Sequence, residues 1–149
     1  MTKKVKTFIV LTLLGVGYGL YTQFYSYDND KACEYVTNNA LDRSHTCCAW
    51  FVMRAMQVGG CPIGILPAWA YRYALPLYGF GKVYEDIGKD CSPKCQIRKG
   101  DIVVIPKGTY SFWGHIAMYD GNRWVSDFKQ NHMSPYKKHV KYRIYRRHE

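Results

Sequence analysis

Two adjacent thiols, Cys47 and Cys48, head a stretch in which Ala49, Val52, Met53 and Met56 recur three and four residues apart, the spacing of a helix face. A cysteine attacks only as thiolate, and a helix N-terminus favours that form through its partial positive charge, as does a neighbouring imidazole. His115 opens an apolar segment directly after Gly114, which leaves room for another side chain to approach it. Asp127 lies past the turn signal Asp120-Gly121-Asn122, on what reads as the paired strand. With Cys48 as nucleophile, His115 as base and Asp127 as orienter, these residues supply the roles of a hydrolytic triad in the chain order Cys, His, acid. Consecutive helical residues point about 100° apart, so only one of Cys47 and Cys48 can face the imidazole.

The elements that must hold these groups follow from pattern and punctuation. Asp28, Asn29 and Asp30 offer caps for a short helix through Cys33, Tyr35, Val36 and Ala40. A second helix is expected from about Thr46 to Val58, capped by Ser44 or Thr46 and stopped by Gly59-Gly60. The aromatic, Pro-broken stretch from Cys61 to Gly81 reads as a loop with a short helix. Strands are expected at Ile102–Ile105, His115–Tyr119, Trp124–Phe128 and Val140–Tyr145, the middle pair forming a hairpin. Helices first and an antiparallel meander afterwards predict an α+β fold, with the nucleophile on a helix end and its base on a strand.

At these residues the chain resembles a known superfamily. Cys48-Ala49-Trp50-Phe51-Val52, with Ala55-Met56 and Gly59-Gly60 after it, resembles the nucleophile helix of the papain-like cell-wall amidohydrolases, the NlpC-type peptidases and CHAP amidases. Gly100-Asp101-Ile102-Val103-Val104 resembles the first barrel strand of that superfamily, and Gly114-His115-Ile116-Ala117-Met118-Tyr119 its histidine strand. The resemblance covers the chain from about Asp28 to the C-terminus. It implies a papain-like NlpC/CHAP-type fold, with N-terminal helices on a small antiparallel sheet or half-barrel. It also implies a cysteine hydrolase that cuts an amide bond in peptidoglycan stem peptides or at the sugar–peptide link. By position Cys48 is then the nucleophile and His115 the base. The third residue of that superfamily is commonly His, Asn or Gln. Asp127 occupies the comparable place here, with Ser126 and Gln130 as the other candidates.

The remaining composition bounds the setting. The 149 residues suffice for one domain and exclude a two-domain enzyme. Lys and Arg number 21 against 11 Asp and Glu, a net charge of +10 that points to a polyanionic partner: nucleic acid, anionic lipid or acidic wall polymer. Nucleic acid is set aside, because Lys137–Arg147 alternates apolar and basic residues like a strand with one wet face rather than a disordered arm. Lys3, Lys4 and Lys6 precede an uncharged stretch from Thr7 to Tyr27, long enough as a helix to cross a membrane. We expect residues 1–27 to be an uncleaved signal anchor, with a cleaved signal peptide as the alternative, and residues 28–149 to be the hydrolase domain in or beyond the periplasm.

That combination suggests a phage endolysin of the signal-anchor-release kind. An interbacterial amidase effector, which would have a cognate inhibitor, and a non-catalytic wall-binding membrane protein are the alternatives. Of the other thiols, Cys91 and Cys95 could close a small disulfide loop, while the connectivity of Cys33, Cys47, Cys61, Cys91 and Cys95 is not legible. No second close Cys or His pair completes a zinc site, and no cofactor is expected.

Overall fold

The structure is a computed structural model that describes residues 25–86, 96–108 and 110–148. Helix α1, Asn29–Asn39, begins where Asp28 accepts a hydrogen bond from the Lys31 N–H at 3.0 Å, and it buries Ala32, Cys33 and Val36. Helix α2, Cys48–Val58, packs beside it and buries Phe51, Val52, Met53, Ala55 and Met56. A 3-10 turn at Ala68–Ala70 runs into helix α3, Tyr71–Leu77, in which Pro76 occupies the last turn. Five strands follow: β1 Phe80–Asp86, β2 Ile102–Ile105, β3 His115–Tyr119, β4 Trp124–Val125 and β5 Tyr142–Arg147. They form one antiparallel sheet in the order β1-β5-β2-β3-β4, so the architecture is α+β.

Strand periodicity places one core on each face of this sheet. Ile102, Val104, Ile116, Met118 and Tyr145 join α1 and α2 in the larger core, while Val103, Ile105, Ala117, Tyr142 and Ile144 pack with Trp124 on the other side. The Gly-Asp pair ahead of β2 is a structural clamp. Gly100 has φ +88°, and the fully buried Asp101 takes a two-pronged ion pair from Arg146 of β5 at 2.7 and 2.8 Å.

Four expectations need correction. Strand β1 lies partly in the stretch expected to be loop and helix; its edge position leaves it without the alternation of buried and exposed residues that marks a strand. Strand β4 stops at Val125 instead of Phe128. The Ser126 N–H donates to the Phe128 carbonyl at 3.0 Å and the Gln130 N–H to that of Trp124 at 2.9 Å, so the chain doubles back at once. Strand β5 starts two residues later than expected and carries buried side chains on both faces, with Tyr145 opposite Tyr142 and Ile144. Finally, α2 starts at Cys48 and has no side-chain cap, because the Ser44 and Thr46 hydroxyls are used elsewhere in the loop before it.

Most of the apolar stretch Thr7–Tyr27 lies outside the described residues, as do Cys91 and Cys95. Its last residues belong to the domain: the Tyr25 hydroxyl donates to the Tyr78 carbonyl at 2.6 Å, Arg147 stacks on the Tyr25 ring, and Tyr27 meets Phe80 edge-on at 5.2 Å. The glycine pair that ends α2 makes room for them, since a Cβ on Gly60 would lie 2.4 Å from the Ser26 carbonyl oxygen. Among the described residues no helix is long and apolar enough to cross a membrane, and the thiols of Cys33, Cys47, Cys48 and Cys61 are free.

Candidate active site

Cys48 is the first residue of α2 and lies against β3, the strand that His115 begins. The backbone N–H groups of Ile116 and Ala49 favour its thiolate form. Burial pushes the Cys48 thiol up to about 11 in spite of those two donors, so at neutral pH it is protonated. Cys47 faces another way: its Sγ donates to Asp127 Oδ2 at 3.7 Å, and burial and the Asp127 charge both raise its pKa. The divergence expected of consecutive residues at a helix start thus assigns the two thiols to different neighbourhoods.

His115 is almost wholly buried, at 5% exposure. Its Nε2 lies 2.7 Å from Oε1 of Gln130, and burial holds the imidazole below its ordinary pKa although Gln130 and Asp127 both pull the other way. The Gln130 amide leaves no doubt about the direction of that bond. Its NH2 group donates to the carbonyls of His132 and Met133, each at 3.0 Å, so Oε1 is the end turned to the ring and must accept. Hence Nε2 carries the proton of the neutral imidazole and Nδ1 keeps a free lone pair. An imidazole fixed in this tautomer can take a proton through Nδ1 alone.

Asp127 was expected to orient His115, and the structure puts it elsewhere. Because the strand ends at Val125, the turn at Ser126–Phe128 swings Asp127 to the loop ahead of α2, where its own carbonyl accepts from the Leu41 N–H at 2.7 Å. Its carboxylate Oδ2 accepts from the backbone N–H of His45 at 2.6 Å and of Cys47 at 3.3 Å, and from the Ser44 hydroxyl at 3.3 Å. Thr46, between those two amides, has φ +61°, the conformation that turns alternate N–H groups to one side. Ser126, the second candidate, donates its hydroxyl to Asp127 Oδ1 at 3.1 Å. Burial opposes ionisation of Asp127, but these donors outweigh it and keep the carboxyl below the usual range. The same turn returns the chain so that Gln130, the third candidate, reaches the imidazole.

Tyr136 is a member of this group that sequence reasoning missed. Its ring meets His115 edge-on at 6.3 Å and stacks on Tyr110 at 5.9 Å. Nothing in the local sequence marks it apart from thirteen other tyrosines.

No protein-family model matches the chain, and no curated protein does. Among solved structures it is similar to the Tae3 effector in the native type VI effector–immunity complex Tae3–Tai3 from Ralstonia pickettii, at 33% identity and a TM-score of 0.67, over 82% of this chain and 100% of that one. The selenomethionine form of the same complex gives 32% identity and a TM-score of 0.64, over 77% of this chain and 98% of that one. Both relatives are effectors crystallised with an immunity protein, which favours the effector alternative over the endolysin expectation.

Proposed function

The chain belongs to the Tae3 family of type VI effectors, and from that premise we propose that it is a cysteine amidase that attacks bacterial peptidoglycan as an interbacterial toxin. The observation that carries the reading is the fixed tautomer of His115 on the strand against which Cys48 lies. With the thiol raised and the imidazole lowered in pKa, the resting pair is neutral, and the thiol proton moves only as the bond forms.

In the first step Cys48 Sγ attacks an amide carbonyl carbon of the wall peptide while His115 Nδ1 takes the thiol proton. The C=O electron pair moves onto oxygen, where the Cys48 N–H at the uncapped helix start donates a hydrogen bond. The imidazolium is stabilised by Gln130 Oε1 and by the nearby Asp127 charge. It gives its proton to the leaving amine as the C–N bond breaks, leaving a thioester on Cys48. Water, deprotonated by the same nitrogen, then hydrolyses the thioester and restores the thiol. Asp127 makes its hydrogen bonds to the nucleophile's loop rather than to the base: it holds His45 and Cys47 so that Cys48 opens the helix in register with β3.

The substrate lies in the periplasm of a Gram-negative target, and a cognate immunity protein is the expected partner in the producing cell, as Tai3 is in the related complex. The test is digestion of purified sacculi by the full chain, with Cys48→Ser as control and new amino and carboxyl ends read by mass spectrometry. Cleavage by the wild type alone supports the reading; equal cleavage by both, or wall binding without release of fragments, contradicts it.

A further inference from the structure

A second polar site lies on the sheet edge where His115 opens β3. The register sets His115 opposite Ile105 and Arg143 opposite Val104, so Arg143 stands two strands along from the base, about 10 Å at the usual strand spacing. Paired residues share a face, and Val104 faces the larger core, the side that also holds Cys48. There a cleft of about 240 Å³ is walled by Arg72 of α3 and by Lys141 and Arg143, beside Glu85 and Asp86.

The charges on this wall do not balance. Glu85 is taken by Lys82 and by Arg143 Nε, the latter at 2.6 Å, and Asp86 by His139 Nε2 at 3.2 Å. Among the described residues no acid pairs with Arg72 or with the exposed Lys141. The Arg72 guanidinium is held in place without one. It lies 4.5 Å from the Tyr73 ring centre and 5.9 Å from that of Trp69, and its main-chain carbonyl accepts from the Tyr145 hydroxyl at 3.0 Å. Of its five N–H groups one donates to the Tyr73 hydroxyl at 2.6 Å, and Nε has no partner. Trp69 ties this arginine to the active site: its N–H donates to the Trp113 carbonyl at 3.1 Å, just ahead of Gly114-His115, and a Cβ on Gly114 would lie 3.1 Å from Trp69 Cβ.

We infer that this cleft receives a free carboxylate of the wall peptide, gripped by Arg72 and Lys141, and so sets which amide reaches Cys48. A guanidinium stacked on aromatic rings is planar, weakly hydrated and already oriented, and it meets a carboxylate through parallel N–H bonds. Lys141 adds a second positive charge at the rim. The distance of about 10 Å to the base equals about three residues of extended peptide, which places the carboxylate about that far from the bond that is cut. The net charge of +10 draws a polyanion in without choosing its register; a fixed pair of unneutralised cations chooses it.

The inference rests on the amidase reading, and soluble muropeptides released from sacculi by a muramidase test both. Arg72→Gln should raise KM about 10- to 100-fold with kcat nearly unchanged, because a contact made equally before and during the reaction acts on KM. Lys141→Gln, at the solvent-exposed rim, should raise it about 2- to 5-fold. Two modified substrates identify the group that is held, one amidated at the C-terminal carboxylate and the other at the internal carboxylates. One of them should lose affinity for the wild type by the factor that Arg72→Gln costs, and Arg72→Gln should no longer distinguish it from the free acid. Iodoacetamide alkylation of Cys48 and the melting midpoint should match the wild type in both variants. An unchanged KM in Arg72→Gln, a parallel loss of alkylation, or an equal loss on free and amidated substrates overturns the inference, the last two assigning Arg72 to packing against Trp69. A wild type that cleaves no muropeptide and releases nothing from sacculi overturns the amidase reading and the inference together, whereas an active wild type indifferent to both amidations overturns the inference alone.

Discussion

Gln130 Oε1 sits 2.7 Å from His115 Nε2, while the opposite end of the same amide is bonded to two main-chain carbonyls. A neutral amide therefore does here what a carboxylate does in the Ser-His-Asp arrangement: it selects the tautomer and holds the ring. Unlike a carboxylate, it adds no full charge, and this fits an imidazole whose pKa is depressed by burial rather than raised.

Gln130→Ala should lower the hydrolysis rate by about 100-fold, a typical share of general-base catalysis, because either nitrogen could then carry the proton. Gln130→Glu should retain more activity and move the acid limb of the pH profile upward, since an anion beside the ring favours imidazolium. A Gln130→Ala variant of normal activity would remove Gln130 from the role.

Asp127→Asn should act on the loop ahead of α2. Exchanging the carboxylate oxygen that His45, Cys47 and Ser44 share for an amide weakens a buried, charge-assisted cluster, at a cost of about 1–3 kcal/mol. The melting midpoint and the hydrolysis rate should fall together. Loss of turnover with an unchanged midpoint would instead give Asp127 the orienting role first expected of it.

The two thiols should separate cleanly. Cys48→Ala should abolish hydrolysis, and Cys47→Ala should retain most of it, because the Cys47 sulfur is turned to Asp127. Measured rates on sacculi in the reverse order would transfer the nucleophile to Cys47.

The pH dependence has a defined sign. In the folded chain the His115 pKa lies below the ordinary 6.5, so the unfolded state takes up the proton first. His115's contribution to stability is therefore complete above pH 6.5 and is lost as the pH falls from there towards the folded value. Hydrolysis, which needs the neutral ring, should show an acid limb with an apparent pKa below 6.5. Alkylation of Cys48 in the free enzyme should climb towards a midpoint of about 11. A reactive thiolate at pH 7 would instead mean a preformed thiolate–imidazolium pair.

The strands that enclose the site were legible because Ile102–Ile105 and, after His115, Ile116–Tyr119 are unbroken apolar runs set off by Gly100, Gly114 and Gly121. Helix α2 was legible from its three-and-four spacing. What the sequence could not show was where the paired strand ends. Trp124 to Phe128 reads as one strand, yet the chain turns at Ser126, and that single turn decides whether Asp127 or Gln130 meets the histidine. Ser126-Asp127 is a turn-prone pair, but with no Gly or Pro beside it the apolar flanks Trp124-Val125 and Phe128 carried the strand reading. Tyr136 was hidden for a different cause: it reaches the site through a loop organised by a side chain, the Gln130 amide, and leaves no periodic trace.

The central claim, that Cys48 forms a covalent bond to the wall peptide during turnover, is tested most directly by mass. The full-length chain mixed with sacculi, quenched in acid within a turnover and digested should yield a Cys48 peptide carrying the acyl part of a stem peptide, absent from Cys48→Ser and from the His115→Ala variant. Release of stem-peptide fragments with every cysteine peptide unmodified, and with Cys48→Ala still active, would contradict it.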